Sequence, residues 1–342
     1  MTGLYVGLQQ GLARVRPGPS GLEADLVLDR GPVSSIAVDP RRPERVYASA
    51  WGHGLWRSDD AGASWQRVGD GITRPIVTVV AVSGAEPAGD ASAVYAGTRM
   101  SAVYRSEDGG ETFRELTAFQ DLPSRGSWSF PPEPDTHHVH SLLADPHEPG
   151  LVLAGIELGG VMRSTDGGRT WEDHRAGADL DPHTLRAHPR TPGRAYIGGG
   201  AGYSESFDGG ATWQRFVEGL RQCYFFDLAV DPGEPGTMVI SAADDPFTGH
   251  GVPGFPPAWS TLYRRRAGGA WEEVTDGLPA REGTAMGHLT AHPDEPGAFS
   301  YLTVPGDLYR STDAGGRWEA VPLRWPDGLS QRGVVTVVDA AA

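Results

Sequence analysis

The sequence predicts an all-β protein: a seven-bladed β-propeller of four-stranded antiparallel blades, closed by N- and C-terminal strands that share one blade. Three observations carry this. One short phrase recurs five times, as "RSDDAGASW" (Arg57–Trp65), "RSEDGGETF" (Arg105–Phe113), "RSTDGGRTW" (Arg163–Trp171), "ESFDGGATW" (Glu205–Trp213) and "RSTDAGGRW" (Arg310–Trp318). The repeat period is roughly 40–45 residues, which suits four strands per blade. The 48 Gly and 28 Pro are scattered rather than pooled, as expected of many short strands joined by tight turns.

Each repeat reads as four strands in order. The first is a β-branched run ending in a turn, as in "SSIAVDP" (Ser34–Pro40), "HSLLADP" (His140–Pro146), "FDLAVDP" (Phe226–Pro232) and "GHLTAHP" (Gly287–Pro293). The second is "RVYAS" (Arg45–Ser49), "AVYAG" (Ala93–Gly97), "LVLAG" (Leu151–Gly155) or "RAYIG" (Arg194–Gly198). The third enters the repeated phrase and the fourth leaves it. Six such units run from about Val33 to Val321. The start of the chain ("LYVGLQQGLARVRP…LEADLVL") supplies strands two to four of a seventh, and "GVVTVVD" (Gly333–Asp339) supplies its first. Residues 1–342 are therefore expected to form one propeller domain. Two insertions break the period, at about 118–138 and 243–260, and strand order places both on one face.

The phrase is a hairpin turn. Its Asp (Asp60, Asp108, Asp166, Asp208, Asp313) can accept hydrogen bonds from its own turn, and the Gly after it can take positive φ. The closing aromatic packs between sheets. A sixth copy, "RRRAGGAW" (Arg264–Trp271), has Arg266 where the Asp belongs, a loss expected to be tolerated because neighbouring blades hold the turn. This S-x-D-x-G-x-T-W pattern resembles the Asp-box, or BNR, repeat of sialidases, xyloglucan-type glycosidases, sortilin-like receptors and photosystem assembly factors. The resemblance implies a propeller in which these turns lie on the face away from the site. The phrase is scaffold, and fold alone does not give function.

Composition excludes several classes. A net charge of −15 opposes nucleic acid as a partner. All 29 basic residues are Arg, since the chain has no Lys, which removes Schiff-base chemistry. The single Cys223 allows no intramolecular disulfide or multi-cysteine zinc site and reads as a small buried hydrophobe. With no apolar run of membrane-spanning length and no basic-then-apolar start, the expectation is a soluble, cytoplasmic protein with no membrane partner. Oligomeric state is not indicated.

Candidate functional residues gather on the other face. Equivalent positions after strand two hold Gln9, Trp51, Arg99, Glu157 and Gly200, a mixture that suits a binding rim. His53 and Asp244 lie in the same class of loop. The insertions add aromatic walls (Trp128, Phe130, Phe247, Phe255, Trp259) and Asp245. "HHVH" (His137–His140) opens an inner strand, where alternation puts His138 and His140 on one face, and His183 is the equivalent of His140 one blade on. His147, His188 and His292 adjoin turns and read as structural. Glu157, Asp179, Asp181, Asp244 and Asp245 are the carboxylates a glycosidase could use.

The reading is an enzyme acting on a small-molecule ligand or substrate (a lyase, cyclase or hydrolase) through His138, His140, His183, Glu157 and Tyr224. Trp51, His53, Arg99, Trp128, Asp244, Asp245 and Trp259 would bind substrate. Histidine can exchange protons at neutral pH. The cofactor is open; the residues suggest a divalent transition metal on His138, His140 and His183, with Glu157 as fourth ligand or base. The alternatives are metal-free proton transfer beside Tyr224 or Arg221, or a polar channel lining. A glycoside hydrolase and a non-catalytic binding or assembly scaffold are the competing functions. A sialidase is disfavoured, because "RPIV" (Arg74–Val77) is not that family's Arg-Ile-Pro motif.

Overall fold

A computed structural model of the chain describes residues 3–19, 21–89, 91–326, 329 and 334–339. It is the predicted ring. Seven sheets follow one another around a central channel. The inner strands are Val33–Asp39, Val77–Ala88, Val139–Ala144, Pro182–Ala187, Tyr224–Val230, His288–Ala291 and Val334–Asp339, and each contacts the next until the last meets the first. We number the blades one to seven in that order.

The inter-blade spaces are filled by seven buried apolar clusters, one at each interface. The interface between blades two and three, for example, joins Tyr95 and Val103 to Val139, Val152 and Met162. Strand two of blades two, three and four (Ala91–Thr98, Val152–Ile156, Ala195–Gly199) is buried along its whole length, because both its faces meet neighbouring sheets. Chain closure follows the expected pairing: Leu4 lies opposite Asp339, Val6 opposite Val337 and Gly7 opposite Thr336, antiparallel. Gly333, the first residue of the predicted closing strand, lies outside the described residues.

Two blades depart from four strands. Blade three has three, with only a single antiparallel bridge, Arg163 to Glu172, where the fourth would run. Blade seven gains a fifth, Leu323–Arg324, parallel to Gly21–Leu28. That segment leaves blade six and covers the outer edge that would otherwise stay unpaired.

The repeated phrase is the turn between strands three and four. In blade three the Asp166 carboxylate accepts from the Thr170 N–H (2.9 Å) and hydroxyl (2.6 Å), and the Ser164 hydroxyl donates to it at 2.9 Å. Gly167 and Gly168 sit at φ +73° and +83°, where a side chain would be strained. The leading arginine reaches across to the next blade's turn: Arg57 to the Gly109 carbonyl (2.8 Å) and Arg163 to that of Gly209 (2.9 Å).

The degenerate turn of blade five is not held by neighbouring blades alone, as the sequence suggested. Arg265, at the serine position, donates to the carbonyls of Gly269 (2.7 Å) and Gly268 (3.0 Å) of its own turn, and pairs with Glu205 of blade four. Glu205 stands where the other phrases carry Arg. Two departures from the repeat therefore compensate each other across one interface. Cys223 is exposed rather than buried, with its thiol 3.9 Å from the Asp244 carbonyl.

Candidate functional site

At the face opposite the repeated turns a cavity of about 600 Å³ opens over the channel. A second cavity of about 520 Å³ continues down the channel between the inner strands, sharing Ser34, His140, His183 and Phe226 with the first.

Inner-strand side chains reach the mouth through a repeated irregularity. The register slips between Val33 and Ser35, Val77 and Val79, Val139 and Ser141, Pro182 and Thr184, and Phe225 and Leu228. The residues at those bulges include Ser34, Thr78, His140, His183 and Phe226, and all five line the mouth cavity. A bulge re-aims the side chain it carries. His138 and His140 thus meet through a bulge rather than by simple strand alternation. The stretch before them is pinned to blade two, where the Met100 N–H donates to the His137 carbonyl at 2.7 Å and Arg99 bridges His138.

The rings form a continuous arc. Centroids step from Phe130 to His138 (5.0 Å), His140 (5.5 Å), His183 (5.6 Å) and Tyr224 (4.8 Å). Tyr224 continues to His250 (5.8 Å), with its hydroxyl 3.1 Å from His250 Nε2. The turn after strand two of blade three brings in Glu157, whose Oε2 lies 3.1 Å from His138 Nε2. Asp181, just before the inner strand of blade four, puts its Oδ2 3.3 Å from His183 Nε2.

Two tautomers are set by the backbone. The carbonyls of Pro182 and Phe225 can only accept, so Nδ1 is the donor in His140 (3.3 Å) and in His183 (2.6 Å), leaving Nε2 as the nitrogen with chemistry to offer.

Burial moves the titrations. It lowers His140 to about 4, since the site cannot solvate a cation there. Burial works the same way on His183, but the hydrogen bond and charge of Asp181 outweigh it, and His183 is raised. Burial would raise Glu157 and Asp181; hydrogen bonds from His138 and His183 respectively hold both below the usual carboxylate range. Burial raises the Tyr224 hydroxyl, with the charges of Asp181 and Glu157 adding to the effect.

Of the residues expected from sequence, Gln9, Trp51, Arg99, Phe130, His138, His140, Glu157, His183 and Tyr224 line the cavity. Gly200, Asp181, Phe247 and Phe255 do not, and neither do six others. Trp128 is 5% exposed in the core between blades two and three, tilted against Phe119 at 5.3 Å; its insertion packs inward there. Asp245 caps the short helix Pro246–His250, accepting from the N–H groups of Phe247 (2.8 Å) and Thr248 (3.0 Å). His53, Asp244 and Trp259 lie outside the lining, Trp259 paired with Glu282 by backbone. Asp179 is spent on the N–H groups of Asp181 (2.9 Å) and Ala201 (3.2 Å). The three histidines named as metal ligands do not form one set. Two other sets do, His138–His140–Glu157 and Glu157–Asp181–His183, each with its ligand atoms within 4.8 Å of one another.

Sequence reasoning missed Phe226, His250 and Glu133, all in the lining. Glu133 pairs with Arg99 at the rim. The aromatic position in the fifth repeat's first strand was a signal for Phe226; nothing local singled out His250.

The fold and site together define a seven-bladed propeller with a histidine–carboxylate cavity at one channel mouth. No family model matches the chain. Among curated proteins it is 24% identical, over 332 residues, to a "Probable oligoxyloglucan-reducing end-specific xyloglucanase" of Neosartorya fischeri, covering 79% of this chain and 37% of that one. The chain thus spans well under half the length of that relative. Among solved structures it is similar to the GH74 xyloglucanase of Xanthomonas campestris (TM-score 0.62, 22% identity, 84% of this chain and 45% of that). It is also similar to YCF48 bound to D1 peptide (TM-score 0.55, 13% identity, 84% and 80%). At these identities the structural likenesses establish the propeller.

Proposed function

We propose that the protein is a hydrolase of a small polar molecule bound at the channel mouth, with a glycoside the first substrate class to test. The observation that carries this is the meeting of two carboxylates within 4.8 Å, Glu157 in the cavity lining and Asp181 beside the lining residue His183, each hydrogen-bonded to a histidine. A water or a substrate hydroxyl between them finds acceptors for its proton and a bound geometry close to attack. Trp51, Phe130 and Phe226 offer apolar faces, and Arg99 and Gln9 polar ones, the combination that fixes a sugar-sized ligand. The similarity to xyloglucanases favours hydrolysis over the lyase and cyclase alternatives.

Turnover of aryl glycosides and xyloglucan oligosaccharides is the test. Glu157→Gln and Asp181→Asn should each lower kcat/KM by about 10²–10⁴-fold, the usual weight of an acid–base group, with folding intact. Full activity in both variants would overturn the assignment. A non-catalytic docking scaffold is the second reading, favoured by the exposed, stacked pair Phe247 and Phe255 (4.1 Å) on the second insertion. Binding of a ligand or partner without turnover of any tested substrate would favour it.

A further inference from the structure

We propose that the channel mouth is a two-ion metal centre for divalent first-row transition cations, with Glu157 as the bridging carboxylate. One ion would take His138, His140 and Glu157; the other would take Glu157, Asp181 and His183. This inference goes beyond the hydrolase reading and stands or falls without it.

Geometry carries the argument. The two triads are the sets of metal-capable side chains among the described residues whose ligand atoms all lie within 4.8 Å of one another, and they share one residue. In each triad one pair is already at the spacing of two ligands on a common ion: His138 Nε2 to Glu157 Oε2 at 3.1 Å, and His183 Nε2 to Asp181 Oδ2 at 3.3 Å. Metal–nitrogen and metal–oxygen bonds of roughly 2.0–2.2 Å require about that separation.

Orientation is the second argument. His183 donates Nδ1–H to the Phe225 carbonyl at 2.6 Å, which turns Nε2 toward Asp181 Oδ2, 3.3 Å away. His140 likewise donates Nδ1–H to the Pro182 carbonyl. A backbone carbonyl that fixes the distal N–H is how metal-binding histidines are oriented. Two carboxylates facing three histidines offer a mixed nitrogen and oxygen set, which suits Zn²⁺, Mn²⁺ or Fe²⁺ over Ca²⁺ or Mg²⁺, and the chain's net charge of −15 favours cation entry. Two ions bridged by one carboxylate would sit near the spacing of about 3.5–4 Å at which paired metals activate water for hydrolysis.

The test is calorimetric titration of ZnCl₂ into the chelator-stripped full chain, with zinc-edge anomalous diffraction of the loaded crystals. Two equivalents per chain and two peaks, one in each triad, are expected. His138→Ala should lose one equivalent and Asp181→Ala the other. Glu157→Ala should weaken both by more than about 100-fold, since even outer-shell partners are worth 10–100-fold. Melting curves of each apo variant, with Glu157→Gln as a near-isosteric check, separate lost ligation from lost folding, and Asp166→Ala should bind as the parent does. Fewer than two equivalents, unchanged binding in folded Glu157 variants, or His138→Ala and Asp181→Ala removing the same equivalent would overturn the centre. Turnover by a chain that binds fewer than two ions would overturn the centre while leaving the hydrolase reading intact; two bound ions without turnover would do the reverse.

Discussion

Ser164 and Asp166 stand two residues apart in one turn, yet the structure gives them unequal weight. The buried Gly168 N–H is held by the Ser164 hydroxyl at 2.9 Å, and Ser164 is itself 1% exposed. The Asp166 carboxylate meets Thr170, which is exposed. Ser164→Ala should therefore cost about 1–3 kcal/mol, because a buried donor loses its acceptor, and Asp166→Ala only about 0.5–1.5 kcal/mol. Urea melts of the two variants check the order. A sharper case is Glu205, 2% exposed between Arg194 (2.5 Å) and Arg265. Glu205→Ala would strand two largely buried guanidinium groups, and about 3–5 kcal/mol should be lost. Each departure from the repeat was visible in the sequence. Their mutual contact was not, because residues 60 apart meet only after two blades stack.

At the scale of elements, the strands were legible and the bulges were not. A β-branched run announces a strand through its packing, whereas a one-residue slip in register leaves no compositional trace. That slip is what aims His140, His183 and Phe226 into the mouth. The first insertion shows the same limit. Its aromatics look equivalent in sequence, but Trp128 is core and Phe130 is cavity wall. Trp128→Ala should cost about 3–5 kcal/mol, as large core truncations do. Phe130→Ala should leave the melting temperature nearly unchanged and raise KM or Kd for whatever the mouth binds. Paired thermal melts and binding isotherms test the division, and reversed phenotypes would contradict it.

For the whole molecule, closure is the controlling fact. Val334–Asp339 is the inner strand of blade seven and pairs with Leu4–Leu8, so truncation before Val334 should lower the melting temperature of the entire ring by exposing an edge in the channel. Acid stability should also follow from the repeated turns. The Ser64 hydroxyl and N–H, with the Ser58 hydroxyl, hold Asp60 at about 2. Partial burial pushes Asp108, Asp166, Asp208 and Asp313 upward, but hydrogen bonds from their own turns outweigh it and all four are lowered. Groups depressed in the folded state contribute stability above their unfolded value, near 3.9, and lose it as pH falls through the folded value. The stability these turns supply should be constant from neutral pH to about 4 and fall between about 4 and 2. That window lies below the separate loss, between about 6.5 and 4, that His140 brings, lowered to about 4 by burial. The gap between pH-dependent melts of the parent and of Asp60→Asn should therefore change only in the lower window, and a change already at pH 6 would contradict the assignment.

What the sequence by itself determined is the scaffold: the period, the turns, the blade count and the sharing of a blade by the two ends. Such features rest on local chemistry repeated in register, so each copy reinforces the reading of the others. That Trp51, Arg99, Glu157 and the three histidines share one channel mouth also followed from strand order. Only the tertiary structure decided how those side chains group. It put His140 with His138 and Glu157, and His183 with Asp181, and it withdrew Trp128 and Asp245 into structural roles. The physical reason is that these contacts join different blades, where bulges, loop packing and backbone carbonyls set side-chain direction. No repeat encodes them, because each blade contributes one or two residues to a geometry that exists only when the ring is closed.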